Sequence, residues 1–184
     1  MLLVVDIGNT NTNLGVFSDD NKLKSSWHIS SDIKRFEHEY VILILSLLQN
    51  SNITQHINGA IISSVVAPLT QTYKKALKKY LNIDAFVLSH KAKLPVNIDL
   101  EQPKEAGADR LANASAAAVF YKLPAIVIDL GTATSFDIVD KNKNFIGGLI
   151  APGLKIQAKS LSQFTSKLPK LKIEAPKNAI GKDT

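Results

Sequence analysis

Apolar and polar residues alternate at the start of the chain in the pattern of half-buried β-strands. Residues 2–7 and 12–18 form two such runs around a tight turn, and residues 22–29 form a third. Apolar residues then recur with helical spacing from Ile33, which predicts a helix that Ser31 or Asp32 caps. The first part of the chain is therefore predicted to fold as three strands and a helix.

A continuous apolar run and several shorter elements follow. Residues 60–65 are typical of a buried strand, and a helix is predicted from Pro68 because proline favours the first turn of a helix. A short strand at 85–88, a loop at 90–102 and an alanine-rich helix at 104–121 come next. Strands that alternate with helices indicate an α/β fold.

The strand pattern of the first part then starts again. Residues 125–130, 135–140 and 144–150 are predicted to form three strands, and residues 154–164 a helix. The order strand, strand, strand, helix thus occurs twice, at a distance too long for a solenoid repeat. We therefore predict a duplicated domain with a nucleotide in the cleft between the two copies.

One short signature marks the first turn of each copy. An apolar run, an aspartate, a spacer, a glycine and small polar residues occur at 4–12 and again at 127–135. Glycine lets the backbone approach a bound group closely, and turn N–H and hydroxyl groups hold phosphate oxygens. The aspartates, Asp6 and Asp129, suit a cation. Two such turns facing each other would clamp the phosphate chain of a nucleotide from both sides.

Composition and charge exclude several classes of protein. The chain has no cysteine, so disulfide and thiolate chemistry are absent. Its apolar runs are too short to span a bilayer, and the start lacks the features of a signal peptide, which together predict a cytoplasmic protein without membrane contact. The net charge is +6, but seven lysines at 155–184 are accompanied by a single aromatic residue, Phe164, so nucleic-acid binding is unlikely.

Five segments in a fixed order resemble one known family. Together they are similar to the type III pantothenate kinases, within the superfamily of acetate and sugar kinases, Hsp70 and actin. The segments are Asp-Ile-Gly-Asn-Thr at 6–10, Gly-Ala-Asp-Arg at 107–110, Asp-Leu-Gly-Thr-Ala-Thr at 129–134, the glycines of 147–153, and Gly-Lys-Asp-Thr at 181–184.

The resemblance implies a fold as well as an activity. It implies two ribonuclease-H-like domains of the actin-like ATPase kind, with the active site in the cleft between them. On this basis residues 1–122, including the helix that carries Gly-Ala-Asp-Arg, form the N-terminal domain, and residues 123–184 form the C-terminal domain. The second domain is expected to be incomplete, because nothing after residue 164 corresponds to the strand and helix at 57–89.

The implied reaction is the transfer of phosphate from ATP to the primary hydroxyl of pantothenate, the first step of coenzyme A synthesis. Asp109 would be the base, although a structural ion pair with Arg110 is an alternative role for it. Arg110 suits the carboxylate of pantothenate, because its fork matches two oxygens. Asp6 would hold Mg²⁺ and Asp129 a monovalent cation, K⁺ or NH₄⁺.

The resemblance also implies the residues that contact the two substrates. ATP would be bound by Asp6, Ile7, Gly8, Asn9, Thr10, Asn11, Thr12, Asn13 and Thr132. Pantothenate would be bound by Leu100, Gly107, Ala108, Asp109, Arg110 and Thr184. Leu100 is a departure, because members of the family usually carry a tyrosine at this position.

Members of the family form homodimers, which is the assembly expected here. A different function is the alternative. An inactive or regulatory relative of these kinases that binds nucleotide or DNA would retain the same phosphate turns.

Overall fold

The computed structural model describes residues 1–53, 57–166, 168, 170, 172–175, 178 and 180. These residues form nine strands and four α-helices. In chain order the elements are β1 (Leu2–Ile7), β2 (Asn11–Phe17), β3 (Leu23–Ser30), α1 (Glu37–Asn50), β4 (Gly59–Ser64), α2 (Ala67–Leu81), β5 (Phe86–Val87), β6 (Asn97–Ile98), α3 (Ala108–Phe120), β7 (Ala125–Leu130), β8 (Ala133–Val139), β9 (Asn144–Pro152) and α4 (Leu154–Phe164).

The first sheet has the strand order β3-β2-β1-β4-β5. The alternation of β1 points Leu3, Val5 and Ile7 into a core, where each is at most 1% exposed. Helices α1 and α2 contribute Tyr40 and Tyr73 to the same core, with ring centroids 4.5 Å apart. Burial of these large side chains is the main stabilising contribution to the first sheet.

The second sheet has the strand order β6-β9-β8-β7, so β7, β8 and β9 repeat the antiparallel order of β1, β2 and β3. Helix α3 packs on it through Leu111 and the small residues Ala114 and Ala117, all at most 1% exposed. Alanines at these positions let the helix approach the sheet closely. The predicted duplication is therefore present in the topology.

Helix α1 begins later than its apolar spacing predicted. Asp32 caps a separate turn, because its carboxylate accepts a hydrogen bond from the Lys34 N–H at 2.9 Å. The helix begins at Glu37, after Phe36, whose N–H donates to the carboxylate of Glu39 at 2.8 Å. The prediction of a helix cap at Ser31 or Asp32 was wrong, because Asp32 caps a local turn instead.

Two other predictions also need correction. The loop predicted at 90–102 contains β6, which pairs with β9 in parallel, and Asn97 Nδ2 donates to Asn144 Oδ1 at 3.1 Å. The helix predicted at 104–121 consists of a 3₁₀ turn at Pro103–Glu105 and then α3, separated by extended backbone at Ala106. The strand β6 forms because of a long-range pairing, and the helix is interrupted by a local change of backbone conformation. Neither feature gives a periodic signal in the sequence.

The boundary at residue 122 stays a prediction, and the packing of β6 and α3 supports an earlier one. Val96 and α3 share a core with Val139 and Phe145 of the second sheet, and β6 belongs to that sheet. We propose that the second unit begins near residue 94.

None of the helices formed by the described residues is long and apolar enough to cross a membrane.

Candidate active site

The two signature turns face each other across the cleft between the sheets. In each turn the glycine N–H donates back across the hairpin, from Gly8 to Asn11 at 3.0 Å and from Gly131 to the carbonyl of Ala133 at 2.9 Å. The hydroxyls of Thr10 and Thr132 are 2.9 Å apart, in hydrogen-bonding contact. The arrangement predicted from the repeat is thus present as a direct contact between the turns.

The cleft between the turns has a volume of about 270 Å³. It is lined by residues of both sheets and of α3. The lining residues are Asp6, Ile7, Gly8, Asn9, Thr10, Asn11, Asn13, Val65, Asp109, Arg110, Asp129, Gly131, Thr132, Ala133, Ser135 and Ile150.

A row of three residues across the first sheet orients the Asp6 carboxylate. Asp6, Asn13 and His28 are cross-strand neighbours on β1, β2 and β3. Asn13 Nδ2 donates to Asp6 Oδ2 at 3.2 Å, and the oxygen of the same amide is 2.6 Å from His28 Nδ1. The amide orientation that satisfies both contacts requires the N–H of His28 at Nδ1. His28 therefore fixes Asn13, which in turn fixes Asp6.

Ser31 stabilises the first turn through three hydrogen bonds. Its hydroxyl donates to the Gly8 carbonyl at 2.7 Å and lies 2.8 Å from the Thr12 hydroxyl, which therefore donates to it. Its N–H also donates to the Thr10 carbonyl at 2.9 Å. Thr12, which was predicted to contact ATP, is fully buried and is not among the residues that line the cleft.

We expect Ser31→Ala to loosen this turn. The change leaves the Gly8 carbonyl and the Thr12 hydroxyl without their partner, which costs about 1–3 kcal/mol of unfolding free energy. Urea unfolding measures that loss, and the KM for ATP, the nucleotide that the resemblance implies, should rise about 3- to 10-fold because the turn is less well positioned. Ser26→Ala, at an exposed serine on β3, the strand that precedes Ser31, is the control. If the two variants had the same unfolding free energy and the same KM for ATP, the supporting role of Ser31 would be contradicted.

The first turn of α3 presents Asp109 to the cleft. Gly107 precedes the helix, and the Asp109 carboxylate accepts a hydrogen bond from the Arg110 N–H at 2.8 Å. A carboxylate in this position is stabilised by the positive end of the helix dipole. A Cβ on Gly107 would overlap that carboxylate, so the glycine leaves room for Asp109 to take this orientation.

Arg110 forms an ion pair with a residue that the sequence analysis did not select. Its Nε donates to Asp137 Oδ1 at 2.5 Å, and the Asp137 side chain is fully buried. Burial raises the pKa of Asp137, and the hydrogen bond from Arg110 opposes that rise. The ion pair of Arg110 is therefore with Asp137, and the alternative role of Asp109 as its ion-pair partner is not the arrangement in the structure.

Asp129 lies at the end of β7 on the opposite wall of the cleft. Its carboxylate is exposed, and Asn113 of α3 approaches it with Nδ2 at 3.5 Å from Oδ2. Asp6 and Asp129 thus give the cleft one carboxylate from each sheet. Within the described part of the chain, no three His, Cys, Asp or Glu side chains form a group that would hold a metal ion by themselves.

The other described residues that were predicted to contact pantothenate do not line the cleft. Ala108 is buried in α3, and Gly107 is half-buried at the helix start. Leu100 packs against the second core and lies outside the cleft lining. Thr184 lies outside the described residues. Among the predicted substrate contacts, the structure therefore brings Asp109 and Arg110 to the cleft together with the two signature turns.

Sequence reasoning missed four polar residues of the site: Ser31, His28, Asn113 and Asp137. Asp137 carried a signal, because it is a carboxylate at an inward position of an apolar strand, where charged residues rarely occur without a partner. Asn113 lies one helical turn after Asp109 and Arg110, so the spacing places it on the same face. Ser31 and His28 give no such signal, because their partners are on other strands.

Comparisons of sequence give consistent results. The family model described as Type III pantothenate kinase matches residues 2–184. The chain is similar to the type III pantothenate kinase of Finegoldia magna, with 43% identity over 185 residues that cover 100% of this chain and 70% of that protein. It is similar to that of Dehalococcoides mccartyi, with 42% identity over 184 residues that cover 100% and 71% of the two chains.

A solved structure has the same fold. The chain is similar to a “putative 2-dehydro-3-deoxygalactonokinase protein” from Sinorhizobium meliloti, with a TM-score of 0.54 and 14% sequence identity. The match covers 90% of this chain and 58% of that chain. Together with the repeated topology, this likeness confirms the predicted fold class, in which ribonuclease-H-like units flank a cleft.

Proposed function

Because the chain belongs to the type III pantothenate kinase family, we propose that it transfers the γ-phosphoryl group of ATP to the primary hydroxyl of pantothenate. The observation that carries the proposal is the meeting of the two phosphate turns at Thr10 and Thr132, with Asp109 in the same cleft. Phosphoryl transfer needs the nucleotide held in place, its charge neutralised and an acceptor for the proton of the alcohol. The described residues provide a candidate for each requirement.

The two turns would hold the phosphate chain. Gly8 and Gly131 keep each turn narrow, and the hydroxyls of Thr10 and Thr132 face the cleft from opposite sides. Backbone N–H groups and hydroxyls in such turns are suitable donors to phosphate oxygens. The neighbouring polar residues of the first turn, Asn9, Asn11 and Asn13, would complete the binding of ATP.

Asp6 is suited to Mg²⁺, and Asp129 to a monovalent cation. Mg²⁺ at nucleotide sites usually takes one or two protein carboxylates and obtains its other ligands from water and phosphate, which fits the single Asp6 carboxylate on this wall. Bound Mg²⁺ would neutralise charge on the transferring phosphoryl group. The exposed Asp129 carboxylate, beside Asn113, would hold K⁺ or NH₄⁺.

Asp109 would accept the proton in the chemical step. The hydroxyl oxygen of pantothenate attacks the γ-phosphorus as its proton passes to the Asp109 carboxylate. The bond between the γ-phosphorus and the bridging oxygen breaks, and ADP leaves. Arg110, on the same helical turn, would bind the carboxylate of pantothenate and so hold the hydroxyl at the reacting end near Asp109.

An assay of coupled ADP release tests the proposal. The full chain is incubated with ATP and Mg²⁺, with and without pantothenate, in buffers that contain K⁺ or only Na⁺. We expect ADP formation to depend on pantothenate and to increase with K⁺. Formation of ADP at the same rate without pantothenate would contradict the proposed substrate, and no ADP under any cation would contradict the kinase activity.

Two further properties are proposals of the same kind. Ile126, Ile128 and Leu130 of β7 are 63%, 54% and 69% exposed, and contiguous apolar surface of this kind is typical of interaction sites. This supports the proposed homodimer, which sedimentation at several concentrations would test. A cytoplasmic location stays a prediction from the sequence.

A further inference from the structure

A buried ion pair lies at the junction of α3 and the second sheet, beside the proposed pantothenate site. The Asp137 side chain is 0% exposed and the Arg110 side chain 19%, and their closest atoms, Nε and Oδ1, are 2.5 Å apart. Removing two charges from water is costly and is offset only when geometry and further hydrogen bonds are favourable. A pair of this kind, placed on a cleft wall, calls for a reason beyond stability.

The guanidinium of Arg110 is held on several sides. Its Cζ lies 5.4 Å from the centre of the Phe145 ring, within the range of a cation–π contact. On another side it approaches Gly148, where a Cβ would come within 2.9 Å of Nη2 and would also overlap the Phe136 carbonyl. The ion pair with Asp137, the Phe145 ring and the Gly148 backbone together restrict the orientation of the guanidinium.

One nitrogen of the Arg110 guanidinium has no hydrogen-bond partner in the part of the chain that the structure describes. Among the described residues, Arg110 Nη2 is buried without a hydrogen-bond partner, and so is Asp137 Oδ2. A buried donor without a partner costs about 1–3 kcal/mol, more when it is charged, so the ion pair is not fully satisfied by the described residues. Arg110 lines the cleft and its side chain is 19% exposed, so the exposed part of the side chain is open to an acceptor there.

We infer that Asp137 is a positioning residue that holds Arg110 through Nε and thereby directs the remaining N–H groups of the guanidinium to the carboxylate of pantothenate. The inference rests on the proposed function, because it takes the substrate from it. Asp137 touches neither substrate; it acts on the orientation of a residue that does. Loss of Asp137 should therefore weaken binding of the carboxylate end selectively.

The test is binding of two ligands to D137N. The wild-type chain and D137N are titrated, with Mg²⁺ and a non-hydrolysable ATP analogue present, against pantothenate and against its alcohol analogue, in which a hydroxymethyl group replaces the carboxylate. We expect the Kd of D137N for pantothenate to rise about 10- to 50-fold, because a neutral amide oxygen replaces the charged acceptor that holds Nε and the charge-assisted bond is weakened. The Kd for the alcohol analogue should change less than about 3-fold, within ordinary non-specific effects.

Two further variants keep the test decisive. Asp84→Asn is the matched control, because Asp84 forms an exposed ion pair with Lys78 at 2.6 Å, and it should leave both Kd values unchanged. Asp137→Glu retains the buried charge but displaces the guanidinium by a methylene, and it should reproduce the selective loss if D137N fails to fold. Circular dichroism shows whether each variant is folded.

The outcomes separate this inference from the proposed function. Equal loss of affinity for both ligands, unchanged affinity for pantothenate in both Asp137 variants, or no pantothenate binding by the wild type would overturn the inference. The selective pattern together with no release of ADP would support the positioning role and contradict the proposed kinase activity.

Discussion

Asp109→Asn is expected to lower kcat by about 10²–10⁴-fold, the range that general-base catalysis contributes. The asparagine oxygen still accepts the hydrogen bond from the Arg110 N–H, so the first turn of α3 keeps its geometry. The amide cannot accept the proton of the attacking hydroxyl, so only the chemical step suffers. Steady-state measurement of ADP release should therefore show a large fall in kcat and a change of less than about 3-fold in the KM for ATP.

The control for this variant is Glu105→Gln. Glu105 is an exposed carboxylate in the 3₁₀ turn just before α3, so its replacement removes the same charge at a short distance along the chain. We expect its kcat to stay within a factor of about two of the wild type, as for most exposed substitutions. If Asp109→Asn retained a third or more of kcat, Asp109 would not be the base, and a structural role at the helix start would remain.

The strands were predictable because their burial is periodic. Alternation in β1 and the apolar run of β4 report directly on which side chains enter the core, and the structure has both strands within one residue of the predicted bounds. The start of α1 was not predictable in the same way. Asp32 has the chemistry of a helix cap, and only the structure shows that it caps a different turn.

The same distinction applies to the site: some of its residues could be predicted from the local sequence, and others depend on contacts with distant parts of the chain. Asp6 and Asp129 lie on turns whose sequence alone specifies a narrow hairpin, so their positions in the cleft could be expected. Asp137, Ser31 and His28 act through partners that are 15 or more residues away in the chain. The inward position of Asp137 indicates that it has a partner, but no local pattern identifies that partner or those of Ser31 and His28, which become visible only when the strands are in register.

Gly153→Ala is expected to disrupt the second turn while the first sheet remains folded. Gly153 is buried where β9 leads into α4, and its N–H donates to the Thr132 carbonyl at 3.0 Å. A Cβ there would come within 2.5 Å of that carbonyl oxygen and would overlap the Gly131 carbonyl. Both obstacles are backbone atoms, so the turn itself has to move. The contact between Thr132 and Thr10 would then be lost.

The predicted loss follows from that displacement. A shift of about 1 Å in a positioning group costs on the order of 10²-fold in rate, so kcat/KM for ATP should fall about 10²-fold or more. Overpacking of this kind also lowers the unfolding free energy by about 1–3 kcal/mol, which urea unfolding measures. Gly59→Ala is the matched control, because its Cβ would lie 3.5 Å from the Leu2 side chain, an ordinary contact. Retention of kcat/KM within 3-fold by Gly153→Ala would mean that the close approach of α4 to the Thr132 turn does not position it for ATP.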